Sequence, residues 1–199
     1  MNYSILKTRI QGLATPFCRS FAFVIVAFTV LEGCQTKTTE QKDTTVSTAD
    51  STILKVVQDN QANTISIFRA GESEPIVTQN VRPDFRPYLH PIVAPDGKGQ
   101  LTEYSPGHHK HQTGLYWGFT RVNGRDYFHH PEGDYWRKVS AEVTGGEGKV
   151  VKWQTVYDLL DEQGNAVLTE TQNWSMRETG GKFLLDLEWN GLGKTDVTI

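Results

Sequence analysis

Val151-Lys152-Trp153-Gln154-Thr155-Val156-Tyr157-Asp158-Leu159 carries its large side chains at every second position. Val151, Trp153, Thr155, Tyr157 and Leu159 share one parity, which marks a β-strand with one face on a core. Phe183, Leu185, Leu187 and Trp189 repeat the pattern, with Leu184, Asp186 and Glu188 on the opposite face. Turn chemistry punctuates the rest of the chain at Asp59-Asn60, Asp96-Gly97, Asn123-Gly124, Gly145-Gly146, Gln163-Gly164-Asn165 and Gly180-Gly181. Asn123-Gly124 is the strongest hairpin signal, between arms Phe119–Val122 and Arg125–Phe128, because both central residues of such a turn need positive φ. Three strands in a meander are expected between Ala141 and Trp189. No segment sustains a helical period, and five tryptophans and nine phenylalanines suit large pleated surfaces. The expected fold class is all-β, an antiparallel β-sandwich over residues 53–199.

The N-terminus reads as an address. Lys7, Arg9 and Arg19 accompany the apolar run Phe21–Leu31, too short to span a bilayer comfortably but suited to a signal peptide. Leu31-Glu32-Gly33-Cys34 resembles the lipobox of bacterial lipoproteins, with Glu32 in place of the usual small or apolar residue. Residues 1–34 are therefore expected to be a lipoprotein signal peptide, with Cys34 as the lipidated residue. That puts the remainder in the bacterial cell envelope, anchored to the membrane through lipid only. Gln35 after the cysteine implies the outer membrane by the custom of such lipoproteins. Residues 35–52, rich in Thr, Lys, Glu, Asp and Ser without an aromatic, are expected to form a disordered tether.

Composition excludes several classes. The only cysteines are Cys18 and Cys34, so the folded part has no thiol nucleophile, disulfide or Cys-ligated zinc. Removing residues 1–34 leaves 17 basic against 22 acidic residues, a net charge of about −5, with no basic patch to suit nucleic acid. There is no Gly-rich phosphate loop and no nucleophile elbow. The final Lys194–Ile199 stretch reads as a strand cut off in mid-course, as in a fragment of a longer protein.

The six histidines all lie between His90 and His130. Imidazole both ligates metals and moves protons near neutral pH. His109, His111, Thr113, Leu115, Trp117 and Phe119 share parity, so a strand through them would turn both histidines to one side. Such a pair can converge on a substrate or a divalent metal, with His90, His108, Glu103 or Asp126 as a third ligand. Otherwise they only cap a loop. Arg82-Pro83-Asp84-Phe85-Arg86-Pro87-Tyr88-Leu89-His90-Pro91 is a rigid extended edge that could present Arg86 and His90. Arg86 either forks onto a carboxylate or sugar hydroxyls, or pairs with Asp84 or Glu103. Glu170 and Gln172 share parity with Leu168 and Trp174. Either they line a sugar-binding concavity, or the strand's faces are mixed near a sheet edge. Asp126 is a carboxylate close in sequence to the histidines. His129-His130 reads as an exposed loop, and Asp158, Asp161 and Glu162 as solvated turn charges.

Arg86-Pro87-Tyr88-Leu89-His90-Pro91, Ala94-Pro95-Asp96-Gly97, His109-x-His111-Gln112-x-Gly114-Leu115-x-Trp117-Gly118 and Val122-Asn123-Gly124-x-Asp126-Tyr127-Phe128 together resemble the bacterial family labelled "methane oxygenase PmoA". The resemblance runs from about Val56 to Ile199. Gln112 and Lys110 depart from the family's usual histidine and proline. The resemblance implies a galactose-mutarotase-like β-sandwich that continues past this chain's end, and a carbohydrate ligand. It does not imply methane chemistry, because no apolar helix after residue 34 could carry a membrane oxygenase. On that basis the chain is expected to be a sugar epimerase, lyase or hydrolase. His109 or His111 would be the general acid, a carboxylate such as Asp126 the base, and Arg86 and His90 would orient hydroxyls. The alternative is a non-catalytic glycan-binding lipoprotein that stacks sugars on Tyr116, Trp117 and Trp174.

Overall fold

The computed structural model describes residues 51–199, so the expected signal peptide, Cys34 and nearly all of the expected tether lie outside the described residues. Ser51 and Thr52, placed by the sequence reading in the tether, are already attached to the domain. Ser51 bridges Thr179, and the Thr52 amide donates to the Glu178 carbonyl at 3.2 Å.

The described residues are all-β, without a helix, and form two antiparallel sheets. The first contains β1 (Leu54–Asp59), β2 (Thr64–Arg69), β3 (Val77–Asn80), β4 (Tyr88–Ile92) and the short β6 (Glu147–Gly148), in the order β4-β3-β2-β1-β6. The second contains β5 (Trp136–Gly145), β7 (Val151–Leu160), β8 (Ala166–Thr179) and β9 (Lys182–Gly193), in the order β5-β7-β8-β9. The stretch from Ala141 to Trp189 thus crosses five strands, β5 to β9, not three: β6 joins the first sheet, and the other four form the meander of the second. The additional meander strand is β5, whose half-exposed faces blur its alternation.

Alternation in β7 and β8 decides which face is buried. Leu54, Ile65, Ile67, Val77 and Leu89 of the first sheet share one core with Val151, Trp153, Trp174 and Met176 of the second. The sheets therefore pack face to face, as in a sandwich. Trp153 and Trp174 lie opposite one another in register and stack at 6.1 Å with 7° between planes. Polar ties also cross the gap. Arg69 forks onto Glu178 at 2.8 and 3.0 Å, and Tyr157 Oη donates to the Arg82 carbonyl at 2.9 Å.

The first sheet covers only part of the inner face of the second. Over the rest, residues 93–135 fold down without a named strand. Val122 and Tyr127 from this segment join Trp136, Tyr157, Leu159, Val167 and Leu168 in a second core. The segment is tied down by Tyr127 Oη donating to the Leu160 carbonyl at 2.7 Å and Trp136 Nε1 donating to the His130 carbonyl at 2.9 Å. His108, His109, His111, Asp126 and His129 ride on it, whereas Arg86 and His90 precede it and Glu170, Gln172 and Trp174 lie on β8.

Three further readings change. Asn123 and Gly124 take the expected positive φ values of 51° and 83°, but their arms make one bridge, Val122 to Arg125, and not two strands. Lys194–Ile199 is not a strand. It folds back so that Asn123 and Thr198 exchange bonds of 2.9 and 2.8 Å. Asp158 is no turn charge: it is nearly buried on β7, accepting from Arg137 at 2.9 Å and Thr169 at 2.6 Å.

Candidate functional site

The expected strand through His109–Phe119 is absent. Pro106 and Gly107 break the ladder, and turn bonds replace it: His109 N–H to the Pro106 carbonyl at 2.7 Å and Gln112 N–H to the His109 carbonyl at 2.9 Å. The loop regains contact with β4 only where Leu115 and Leu89 exchange backbone bonds of 2.8 and 3.0 Å. Gly114 makes that approach possible. Its φ is +104°, and a Cβ there would collide with the Leu89 carbonyl and His90 Cβ. The side chains of His109 and His111 come near each other through turn geometry, not through strand parity.

Arg86 is turned into the interior, contrary to the expectation that it orients hydroxyls, and it does not pair with Asp84 or Glu103. Its side chain is fully buried. Nη1 donates to the Phe128 carbonyl, and Nη2 to the His111 carbonyl at 2.9 Å and Thr113 Oγ1 at 3.4 Å. The guanidinium carbon stands 3.3 Å from the centre of the Tyr116 ring. Burial pushes its pKa down to about 10, partly offset by Tyr116. The flanking Pro83 and Pro87 make the backbone here stiff, and the rigid arginine becomes an internal clamp. It joins the segment bearing His111 to the segment just before His129.

Around that clamp lies a chain of imidazoles. Ring centres are 4.2 Å apart for His108 and His109, 6.0 Å for His109 and His111, and 4.5 Å for His111 and His129. His129 Nδ1 is 2.7 Å from Asp126 Oδ2. The other Asp126 oxygen accepts the amides of Phe128 and His129 at 3.0 and 3.1 Å. Burial opposes ionisation of Asp126, but the amides and side chain of His129 outweigh it and hold the carboxyl below its ordinary range. His111 is held below the ordinary imidazole range by burial first, then by the nearby His129, His109 and Arg86 charges.

His109, His111 and Asp126 therefore come together, and His129, read from the sequence as an exposed loop residue, completes the group. Its signal was available in the spacing Asp126-x-x-His129. An Asp that accepts the amides two and three residues on curls the chain and returns side chain i+3 to its own carboxylate. His90 stands apart. Its Nδ1 pairs with Thr102 Oγ1 at 3.0 Å and its ring neighbours Tyr104. His130 stacks flat on Tyr135 at 4.6 Å. Among the described residues, no three or more His, Cys, Asp or Glu side chains stand in a metal-holding arrangement, so the divalent-ion reading gains no ligand set.

Glu170 and Gln172 are neither at an edge nor on an open concavity. β8 is an interior strand, and both residues are buried. Trp174 Nε1 donates to Gln172 Oε1 at 3.0 Å, Gln172 Nε2 donates to Glu170 Oε1 at 2.6 Å, and Trp189 Nε1 donates to Glu170 Oε2 at 2.9 Å. An indole can only donate, so Trp174 fixes which way the Gln172 amide points. Burial raises the Glu170 pKa to about 7 against these donors and the Arg86 charge. Trp174, buried and stacked on Trp153, is not free to hold a sugar. Trp117 is, at 41% exposure, and it leans towards Trp189 and Phe119.

A comparison with known families matches residues 72–199 to DUF6807, a family of unknown function. No curated protein and no solved structure matches the chain.

Proposed function

We propose, from the premise that the chain belongs to the DUF6807 family of unknown function, that it is an exported, carbohydrate-related acid–base enzyme whose working groups are His111, His129 and Asp126. The single observation that carries this reading is the Asp126–His129 bond of 2.7 Å with the His111 ring 4.5 Å beyond it. In this arrangement Asp126 holds the Nδ1 hydrogen of His129 and leaves Nε2 facing outward. In this reading His129, oriented by Asp126, gives a proton. His111, whose charging burial and its neighbours oppose, takes one. A paired acid and base is what epimerisation, elimination or glycosidic cleavage requires. His109 lies next to His111 and serves as a relay to solvent.

The carbohydrate class, the likeness to galactose-mutarotase-like sandwiches and the "methane oxygenase PmoA" label rest on the four sequence motifs. The two-sheet architecture is compatible with that likeness. The same reading makes the protein a lipoprotein acylated at Cys34 and held at the outer membrane of the bacterial envelope.

The test is to follow α-D-glucose and α-D-galactose by polarimetry, and neutral oligosaccharides by product chromatography, with the full-length protein. Activity should fall by about a hundredfold or more in His129→Gln and in His111→Gln. Activity unchanged in both variants, or none in the parent protein, removes the assignment. The exposed Trp117 beside Trp189 favours a second reading, a glycan-binding lipoprotein without catalysis. Saturable binding with no product would select it.

A further inference from the structure

A cleft of about 520 Å³ opens beside Asp126, between the Asn123-Gly124 turn and the Asp161–Gln163 turn. We propose that this cleft is the seat of a neutral saccharide, next to the histidine group. The inference deepens the acid–base reading above and rests on it only for the link to chemistry.

The cleft is built from fixed parts. Its floor is Val122, Tyr127 and Val167, all buried. One wall is locked by the paired bonds between Asn123 and Thr198. The other is locked by Asp161, whose Oδ1 accepts the Gln163 and Asn165 amides at 2.9 and 2.8 Å. Tyr135 forms a side, with the Arg125 guanidinium carbon 3.7 Å from its ring centre and His130 stacked on it. Such a site loses little entropy on binding, and its size lies within the usual range for small-ligand pockets.

The lining decides the class of ligand. Asp126, Asp161 and Glu162 stand against one Arg125, so a phosphate, sulfate or uronate would meet a net negative wall. A bare cation fits no better, since the described residues offer no metal-holding group and Asp161 spends an oxygen on its own turn. What remains is an uncharged ligand rich in hydroxyls. The Glu162 carboxylate and the Gln163 amide can each fork onto neighbouring hydroxyls, and an apolar floor suits a pyranose face. The Arg125 guanidinium, laid on Tyr135 and donating through Nη2 to the Asp134 carbonyl at 2.9 Å, is a fixed cation in this wall. Asp126 also ties the cleft to the acid–base group, because it lines the one and holds His129 in the other.

The test is calorimetry on the full chain with cellohexaose, xylohexaose and mannohexaose, with oligogalacturonate and calcium chloride run alongside. At least one neutral hexasaccharide should bind. Glu162→Lys should weaken it by about tenfold or more, the loss of one charge-assisted hydrogen bond. Glu162→Gln, which keeps an acceptor, should weaken it less, and oligogalacturonate should bind less tightly. No neutral binding at millimolar concentration, preference for oligogalacturonate, displacement by calcium, or indifference to Glu162→Lys overturns the proposal. His129→Gln separates the two readings. Binding that persists in the parent and in this variant, with no turnover in either, defeats the enzyme reading and leaves the saccharide seat. Turnover that ignores Glu162→Lys does the reverse.

Discussion

The guanidinium of Arg86 lies 3.3 Å from the centre of the Tyr116 ring while its Nη2 donates to the His111 carbonyl at 2.9 Å. This one side chain spans the loop that bears His111 and, through the Phe128 carbonyl, the segment that leads into His129. Truncation would strand these carbonyls in a buried setting, where each unsatisfied group costs about 1–3 kcal/mol. Arg86→Ala should therefore destabilise the domain by about 3 kcal/mol or more, read as a lower denaturant midpoint. Arg86→Lys keeps the charge but not the fork, and should still destabilise, by a smaller amount. Equal stability in all three proteins would mean the clamp is not holding the site.

Gly114 occupies a backbone conformation, φ +104°, with the Leu89 carbonyl against its α-carbon. Gly114→Ala adds both left-handed strain and a collision, so it should cost about 2 kcal/mol or more. Amide exchange at Leu89 and Leu115, which bond each other across this contact, should accelerate before the sheets are affected. Unchanged exchange at both amides would contradict the close approach.

Glu170 makes stability depend on pH. Its folded pKa, about 7, lies above the ordinary glutamate value, so the folded protein holds a proton that the unfolded chain has released. The contribution is complete below about pH 4 and is lost as pH rises through about 7, a change on the order of 3 kcal/mol. Glu170→Gln should flatten that part of the stability profile. A parent protein whose denaturant midpoint is level from pH 4 to pH 8 would count against the shift.

His111 should titrate below the ordinary imidazole range in an NMR pH series, because burial and the neighbouring His129 and His109 oppose its charging. His129→Gln removes one of those charges and should move the His111 midpoint upward. If it stays in place, the two rings are not coupled as their 4.5 Å separation implies.

The class of the fold was legible in the sequence because alternation is a local property. Each of Val151, Trp153, Tyr157 and Leu159 reports its own burial by its type, and the partner sheet need not be known. The same is true of the Asn123-Gly124 turn, whose conformation depends on two residues. Strand count was harder, since β5 exposes much of both faces and loses the contrast on which alternation relies. Parity misled in the histidine run, because Pro106, Gly107 and Gly114 decouple side-chain direction from residue number.

What the chain determined by itself is the all-β class, the turn chemistry and the neighbourhood in which titratable groups gather. These follow from side-chain type and short-range backbone preference. Only the tertiary structure decided that Arg86 is an internal clamp, that His90 stands apart, that the local Asp126–His129 pair meets His111, and that Glu170 is buried. Each of those depends on contacts beyond the local chain, such as Arg86 with Phe128 or Glu170 with Trp189. Pairing at that range is set by how the sheets and the 93–135 segment pack, and residue type constrains packing only weakly.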